Sequence, residues 1–278
     1  MKVLVTGANG MLGQDLCPIL EDEGYEVVET DIESMDLTKA DEVEAKFSEV
    51  KPDLVIHCAA YTAVDKAEEE PQKAELINVC GTENLAKVCG KADVLIVYIS
   101  TDYVFDGTKT TPYTPDDVPN PQTVYGKTKL GGEKAVKKYC KKYYIARTSW
   151  LYGHHGKNFV ETMLSLADKP ELKVVDDQVG CPTWTVELAN GILKLLKLPY
   201  GTYHVCGSGA TSWYGFAKEI FEQAEKIYEK PYGAGLKPCS TEDFPRPAKR
   251  PKYSVMENGK LCRKWQSALH DYLELREE

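Results

Sequence analysis

Short apolar runs alternate with longer amphipathic stretches over the first 150 residues. "KVLVT" (2–6), "YEVVET" (25–30), "DLVIHCAA" (53–60), "DVLIVYIS" (93–100) and "YYIARTSW" (143–150) are rich in β-branched and aromatic residues. Such near-continuous apolar runs suit parallel strands covered on both faces. Between them the apolar spacing turns helical. "MLGQDLCPILEDEG" (11–24) stops at a glycine, and "LTKADEVEAKFSEV" (37–50) offers Thr38 as an N-cap. "EPQKAELINVCGTENLAKVCG" (70–90) reads as one long helix, and another falls around 121–141. This order gives an α/β protein with a Rossmann-type doubly wound parallel sheet and right-handed crossovers.

Beyond residue 150 the alternation loosens. Helices are expected at 158–167, 185–197 and 212–228, with one more strand in "GTYHVCG" (201–207). The proline-rich stretch 229–254 reads as ordered loop. The expected division is a dinucleotide-binding domain over 1–150 plus about 181–206. A smaller C-terminal substrate-binding lobe takes about 151–180 plus 207–278.

Composition removes several function classes. The 278 residues are 42% hydrophobic and carry a net charge of −9, which argues against a nucleic-acid partner. The basic run "KAVKKYCKKYY" (134–144) reads as a solvated helix face. No apolar run reaches the roughly 18 residues of a membrane span, and the N-terminus lacks a secretory pattern, so a cytoplasmic location is expected. Nine cysteines at scattered spacing, without CxxC, read as free and mostly buried thiols.

Chemistry enters at the first strand's end. "VTGANGMLGQ" sets Gly7, Gly10 and Gly13 between a strand and a helix. In that context Gly7 makes the tight turn, Gly10 lets pyrophosphate approach the backbone, and Gly13 allows helix-on-strand packing. Without the flanking elements the string would be a glycine-rich turn. Asp31 closes the second strand, where an acid can hold the adenosine ribose and repel a 2′-phosphate. That favours NADH, although Asp31 in a plain turn is the competing reading. Asp36 and Leu37 flank the adenine position, and the small residues Ala59 and Ala60 let a cofactor lie close.

The second motif is "YGKTK". Tyr125 and Lys129 lie one helical turn apart. A nearby ammonium favours the phenolate and lowers a tyrosine's pKa, which suits proton transfer at a carbonyl or alcohol oxygen. Lys129 is also placed for the nicotinamide ribose. "YISTDYVFDG" (98–107) brings Thr101 to the carboxyl end of its strand, to polarise the same oxygen. Alone, YxxxK reads as two residues on a wet helix face. The order GxxGxxG, strand ending Ser-Thr, then YxxxK changes that reading.

On "GANGMLG", "AAYTAVDKAE" (59–68), "STDYVFDG", "YGKTKLGGE", "RTSWLYG", "DQVGCPTW" and "RPKYSVMENGKL", the chain resembles the dTDP-4-dehydrorhamnose reductase family. That family sits within the extended short-chain dehydrogenase/reductases. The resemblance implies an NADH- or NADPH-dependent oxidoreductase that reduces dTDP-4-dehydro-L-rhamnose to dTDP-L-rhamnose. It implies catalytic Thr101, Tyr125 and Lys129. Cofactor contacts would add Met11 and Leu12 to Gly7, Gly10, Asp36, Ala59, Ala60 and Lys129. Sugar-nucleotide contacts would involve Thr62, Val64, Tyr103 and Trp150. Arg246 and Arg250 are basic candidates for the substrate pyrophosphate.

Tyr253 departs from the family's usual asparagine. A homodimer is compatible with the family, and no metal is expected. "HH" (154–155) points its two rings apart and does not make a metal site. Two other readings stay open. One is a sugar-nucleotide epimerase or dehydratase, although "STDYVF" lacks a dehydratase's Asp-Glu pair. The other is a non-catalytic subunit resembling the regulatory subunit of methionine adenosyltransferase.

Overall fold

The structure is a computed structural model that describes residues 1–229, 231–232 and 235–276. In chain order the first half runs β1 (Lys2–Thr6), α1 (Met11–Asp22), β2 (Glu26–Thr30), α2 (Ala40–Val50) and β3 (Leu54–His57). It continues through α3 (Val64–Glu69), α4 (Pro71–Glu75), α5 (Thr82–Lys91), β4 (Leu95–Thr101), α6 (Val124–Tyr139) and β5 (Tyr143–Thr148). The second half holds β6 (Leu151–Tyr152), α7 (Phe159–Ser165), β7 (Glu171–Val175), β8 (Val179–Gly180) and β9 (Thr183–Trp184). It ends with α8 (Thr185–Leu195), β10 (Gly201–His204), β11 (Thr211–Ser212), α9 (Trp213–Tyr228), β12 (Gly235–Cys239) and α10 (Trp265–Glu274).

Six strands pair in the order β10-β5-β4-β3-β1-β2, and every pairing is parallel. The alternating apolar and amphipathic pattern therefore folds as a doubly wound sheet. Its strands are buried on both faces because apolar clusters cover each side. Leu12, Leu16, Leu20, Leu188 and Ile192 pack on one face, and Phe47, Leu85, Ala86 and Val136 on the other. The chain leaves β1 outward to β2 and returns past β1 to β3. That reversal opens a crevice above the carboxyl ends of β1 and β3.

A third apolar cluster joins α7, α9 and α10 around Phe216, Trp265, Leu269 and Tyr272. It is built from the part of the chain in which the sequence pattern is weakest. Strands β7 and β12 pair there in parallel. The stretch read as loop at 229–254 therefore contains a strand, whose "GLKPC" includes a proline and does not alternate; residues 230 and 233–234 of it lie outside the described residues. Helix α10 carries no sequence expectation.

Two local expectations are corrected. Thr38 does not cap α2. Its backbone N–H and its hydroxyl both donate to Asp36 Oδ1, at 3.0 and 2.7 Å, so it closes a turn two residues early. The long helix at 70–90 is interrupted by a π-helical segment, Leu76–Gly81. The extra residue per turn points Asn78 inward, where its side chain bridges Tyr61 and Thr128.

Candidate active site

Gly7 stands where β1 leaves the sheet, with φ +68°, a conformation that favours glycine. A Cβ there would lie 2.6 Å from the Ala59 nitrogen, so the turn and the end of β3 touch backbone to backbone. A Cβ on Gly13 would lie 2.5 Å from Ala8 Cα and from the Gly7 carbonyl, which fixes α1 close against the turn. Gly10 precedes α1 without any side-chain cap. The amides of Met11, Leu12 and Gly13 thus open the helix with no partner inside it, facing a cleft.

The cleft has a volume of about 700 Å³ and runs over the carboxyl ends of β1, β3 and β4. Gly7, Gly10, Met11, Leu12 and Gly13 line it from the first turn. Asp31, Asp36 and Leu37 line it after β2, and Ala59, Ala60, Thr62 and Val64 after β3. Thr101, Tyr103, Tyr125, Lys129 and Trp150 close it from the other side. Asp31 is held by the chain it faces: its Oδ2 accepts from the Asn9 N–H at 3.1 Å and its Oδ1 from the Ile32 N–H at 2.8 Å.

Arg250 is the residue that the structure does not bring into this cleft. It lines an adjoining cavity of about 490 Å³, which shares Tyr103 with the first. Its guanidinium makes a two-pronged pair with the Asp65 carboxylate, so α3 anchors the 248–250 segment. Tyr253 also lines that cavity, and Arg246 is exposed.

Tyr125 and Lys129 lie on the first turns of α6. Thr123 caps that helix by accepting from the Gly126 N–H at 3.0 Å. Gly126 lets the helix start press on the Tyr103 carbonyl, since a Cβ there would lie 2.2 Å from that oxygen. The rings of Tyr103 and Tyr125 meet edge to face, with centroids 5.5 Å apart. The Lys129 Nζ sits 4.2 Å above the Tyr98 ring centroid. One turn on, the buried Glu133 accepts two hydrogen bonds from the buried Arg147, both 2.8 Å, and one from Ser100 at 2.6 Å. In the sequence Ser100, Glu133 and Arg147 stand inside the quoted motifs without a role of their own, and Asn78 has none. Their signal, buried polar side chains inside apolar runs, needs the fold to be seen.

The electrostatics correct one expectation. Lys129 does not bring Tyr125 toward neutrality in the ligand-free protein. Burial pushes Tyr125 up to about 12, with the Thr101 hydroxyl that faces its oxygen pulling the other way. Burial also draws Lys129 down to about 7, opposed by the Glu133 carboxylate. Both groups are desolvated, and the free cleft favours their neutral forms.

The adjacent histidines separate as expected. His154 stacks on Tyr272 with centroids 4.2 Å apart, and His155 lies 3.3 Å from Asp15. Among the described residues no cluster of His, Cys, Asp and Glu has the makings of a metal site. All nine cysteines are free; six are buried, and Cys80 is exposed. No described helix is long and apolar enough to cross a membrane.

The family described as RmlD substrate binding domain matches residues 1–277. The chain belongs to this family. It is 44% identical to the spore coat polysaccharide biosynthesis protein SpsK of Bacillus subtilis (strain 168), over 99% of this chain and 98% of that protein. Among solved structures it is similar to a dTDP-4-dehydrorhamnose reductase from Clostridium acetobutylicum ATCC 824. That match has 48% identity and a TM-score of 0.94, and covers 99% of both chains. It is also similar to the dTDP-4-dehydrorhamnose reductase of Bacillus anthracis str. Ames in complex with NADP, at 41% identity and TM-score 0.92, covering 98% of each chain. For a member of the RmlD family, the parallel sheet and its cleft are thus accompanied by near-complete coverage.

Proposed function

We infer that this chain is an NAD(P)H-dependent oxidoreductase that reduces the C4 carbonyl of dTDP-4-dehydro-L-rhamnose to give dTDP-L-rhamnose. The observation that carries the reading is the meeting of Thr101, Tyr125 and Lys129 in one cleft with the glycine turn at the sheet's reversal. The reductases that it resembles over nearly their whole length support the substrate, and the NADP complex among them supports the cofactor class.

The residues present suit a dinucleotide. Gly7 and Gly10 line the cleft without presenting a side chain to it, the first amides of α1 face the cleft, and Asp31 stands at the ribose position. When bound, the cofactor supplies a hydride to the carbonyl carbon. Tyr125, protonated in the free cleft, gives its proton to the carbonyl oxygen, and Thr101 polarises that oxygen. Lys129 holds the nicotinamide ribose. In its protonated state it steadies the charge that develops on Tyr125. Thr62, Val64, Tyr103 and Trp150 shape the sugar position, and Arg250 lies beside it in the adjoining cavity, where a substrate diphosphate can reach. The same reading divides the chain into a dinucleotide-binding domain and a C-terminal substrate lobe. It carries a cytoplasmic location and allows a homodimer.

The test is turnover of dTDP-4-dehydro-L-rhamnose with NADH and with NADPH, in wild type and Tyr125→Phe. Wild-type turnover, with a loss of at least about a hundredfold in Tyr125→Phe, is expected. A wild type that leaves this sugar and related nucleotide-linked 4-keto sugars unreduced overturns the reading.

A further inference from the structure

Asp102 is the carboxylate in the cleft for which the roles above have no use. It follows Thr101 directly, at the start of a 3₁₀ turn, Asp102–Val104, and only 2% of it is exposed. None of the ion pairs among the described residues includes it. Its Oδ1 lies 3.0 Å from Thr101 Oγ1. Its Oδ2 is buried without a hydrogen-bond partner; the buried Ser254 faces the carboxyl but outside hydrogen-bond geometry. A buried carboxylate with no cation and an orphaned oxygen is expensive, whereas a neutral carboxylic acid is not.

Proton counting at Thr101 points the same way. Thr101 Oγ1 already accepts from the Tyr103 N–H at 3.2 Å. Its hydroxyl has one proton and faces two oxygens: Asp102 Oδ1 at 3.0 Å, and the Tyr125 oxygen, which like Ser254 stands close by outside hydrogen-bond geometry in the ligand-free protein. If Asp102 is ionised, that proton is drawn to the carboxylate and is lost to Tyr125. If Asp102 is protonated, it donates to Thr101 across the same 3.0 Å contact, and the Thr101 proton is free to point at Tyr125. The hydrogen-bond chain then runs in one direction, Asp102 to Thr101 to Tyr125 and on to the substrate oxygen, so Thr101 polarises that oxygen through Tyr125 and not by donating to it directly.

We propose that Asp102 is a positioning residue that works through Thr101: as a neutral acid it aims the Thr101 hydroxyl at Tyr125 and returns a proton to Tyr125 during reduction. The proposal rests on the reductase reading above. As the substrate oxygen gains charge, the Tyr125 O–H bond breaks and the substrate O–H bond forms. The Thr101 O–H proton moves to the Tyr125 oxygen, and the Asp102 carboxyl proton moves to Thr101. Asp102 is left as a carboxylate and takes a proton from solvent after product release. No further oxidant or reductant is needed, since the hydride donor balances the carbonyl.

The surroundings agree. The titratable groups facing Asp102 are Tyr103 beside it, Tyr125 from α6, and the thiols of Cys181 and Cys206 from the segments flanking β9 and β10. Burial holds Tyr103 and Tyr125 neutral, the hydrogen bond between the two thiols raises Cys206 and lowers Cys181, and none of the four is a cation. Burial raises the Asp102 carboxyl to about 6, against the pull of the hydroxyls and amides around it.

The test uses Asp102→Asn, which keeps the shape and can still donate a hydrogen bond but has no proton to release. Infrared difference spectra of ligand-free wild type against Asp102→Asn should show a buried carboxylic acid C=O stretch at mildly acidic pH, vanishing as the pH rises. This readout needs no substrate. In turnover, wild-type kcat should fall with rising pH while Asp102→Asn, with kcat reduced at least about tenfold and KM little changed, loses that slope. Thr101→Ser should keep the slope and Thr101→Val should abolish it, which covers the case in which Asp102→Asn fails to fold. A wild type without the infrared band, or variant and wild-type pH profiles of the same shape, overturns the proposal. Because the wild type's own turnover is measured alongside, loss of the relay is separable from loss of the reductase reading.

Discussion

Trp150 and Trp213 stack face to face, with ring centroids 3.6 Å apart and planes 4° from parallel. Trp150 ends the segment after β5 with φ +47°, an unusual conformation for a bulky residue. It lies flat on Gly180, where a Cβ would come within 2.4 Å of the indole. Trp213 opens α9, so the stack ties the C-terminal helices to the end of β5, and both rings line the cleft. Trp150 is thus held in an unfavourable backbone state by what packs on either side.

Trp213→Ala removes one of those sides without touching the glycine turn. The stack contributes about 0.5–1.5 kcal/mol beyond its area. We expect KM for the sugar nucleotide to rise roughly 2- to 13-fold, with cofactor affinity unchanged. Steady-state kinetics beside a cofactor fluorescence titration check it. An equal loss in both affinities would mean that the stack supports the whole cleft and not the sugar position.

The glycines of the first turn separate folding from binding. Ala at position 7 meets both a left-handed φ and the Ala59 backbone. It should destabilise the protein by several kcal/mol, the sum of a strained conformation and an overlap. Ala at position 10 meets only the Gly7 carbonyl, at 3.1 Å, and needs no positive φ. Gly10→Ala should therefore fold with a near-normal melting temperature and lose cofactor affinity. Thermal melts and cofactor titrations of the two variants distinguish the effects.

Asp31 should set cofactor preference. Its carboxylate is fixed by two backbone amides, Asn9 in the glycine turn and Ile32 after β2, so it cannot swing away from a 2′-phosphate. Replacing it with Ala removes a repulsion on the order of 1 kcal/mol at solvent-exposed distances. The NADPH to NADH ratio of kcat/KM should rise roughly fivefold in Asp31→Ala. An unchanged ratio would show that the loop after β2 discriminates by other contacts.

Much of this was legible before the fold, for a physical reason. Gly7, Asp31, Ala59, Thr101 and Tyr125 all sit at strand ends or at a helix start, which periodicity locates well. The glycine turn and the Tyr–Lys pair are local spacings. What the sequence hid depends on long-range packing. Arg147 and Glu133 look like ordinary charges until the strand and helix that bear them bury both to 1% exposure. Asn78 is aimed by a π-turn that no local pattern announces. The electrostatic error at Tyr125 has the same origin: spacing gave the partner, but burial, which spacing does not show, outweighs it. Strand β12 and helix α10 were missed because "GLKPC" has no β-branched residue and includes a proline, although Pro238 keeps its place opposite Val174, and the helix follows a stretch of turns.

Lys129 should leave a signature in stability as well as in rate. Its folded pKa is drawn from 10.5 down to about 7 by burial. Between these values the unfolded chain binds the extra proton, so this group's contribution to stability rises with pH and is lost as pH falls toward 7. Total stability will not display that rise alone. The buried thiols Cys17 and Cys262 are pushed up to about 12, so they stay protonated in the fold while the unfolded chain loses those protons near pH 8.5. Their contribution falls over the same range. The difference between wild type and Lys129→Met cancels the thiols and isolates the lysine. Lys129→Met should be the more stable protein at neutral pH, with its advantage shrinking toward pH 9 by at most about 1.4 kcal/mol per pH unit. Urea unfolding of both proteins across that interval checks it. A constant difference would mean that Lys129 keeps its proton in the fold, held by Glu133 and the Tyr98 ring against the cost of burial.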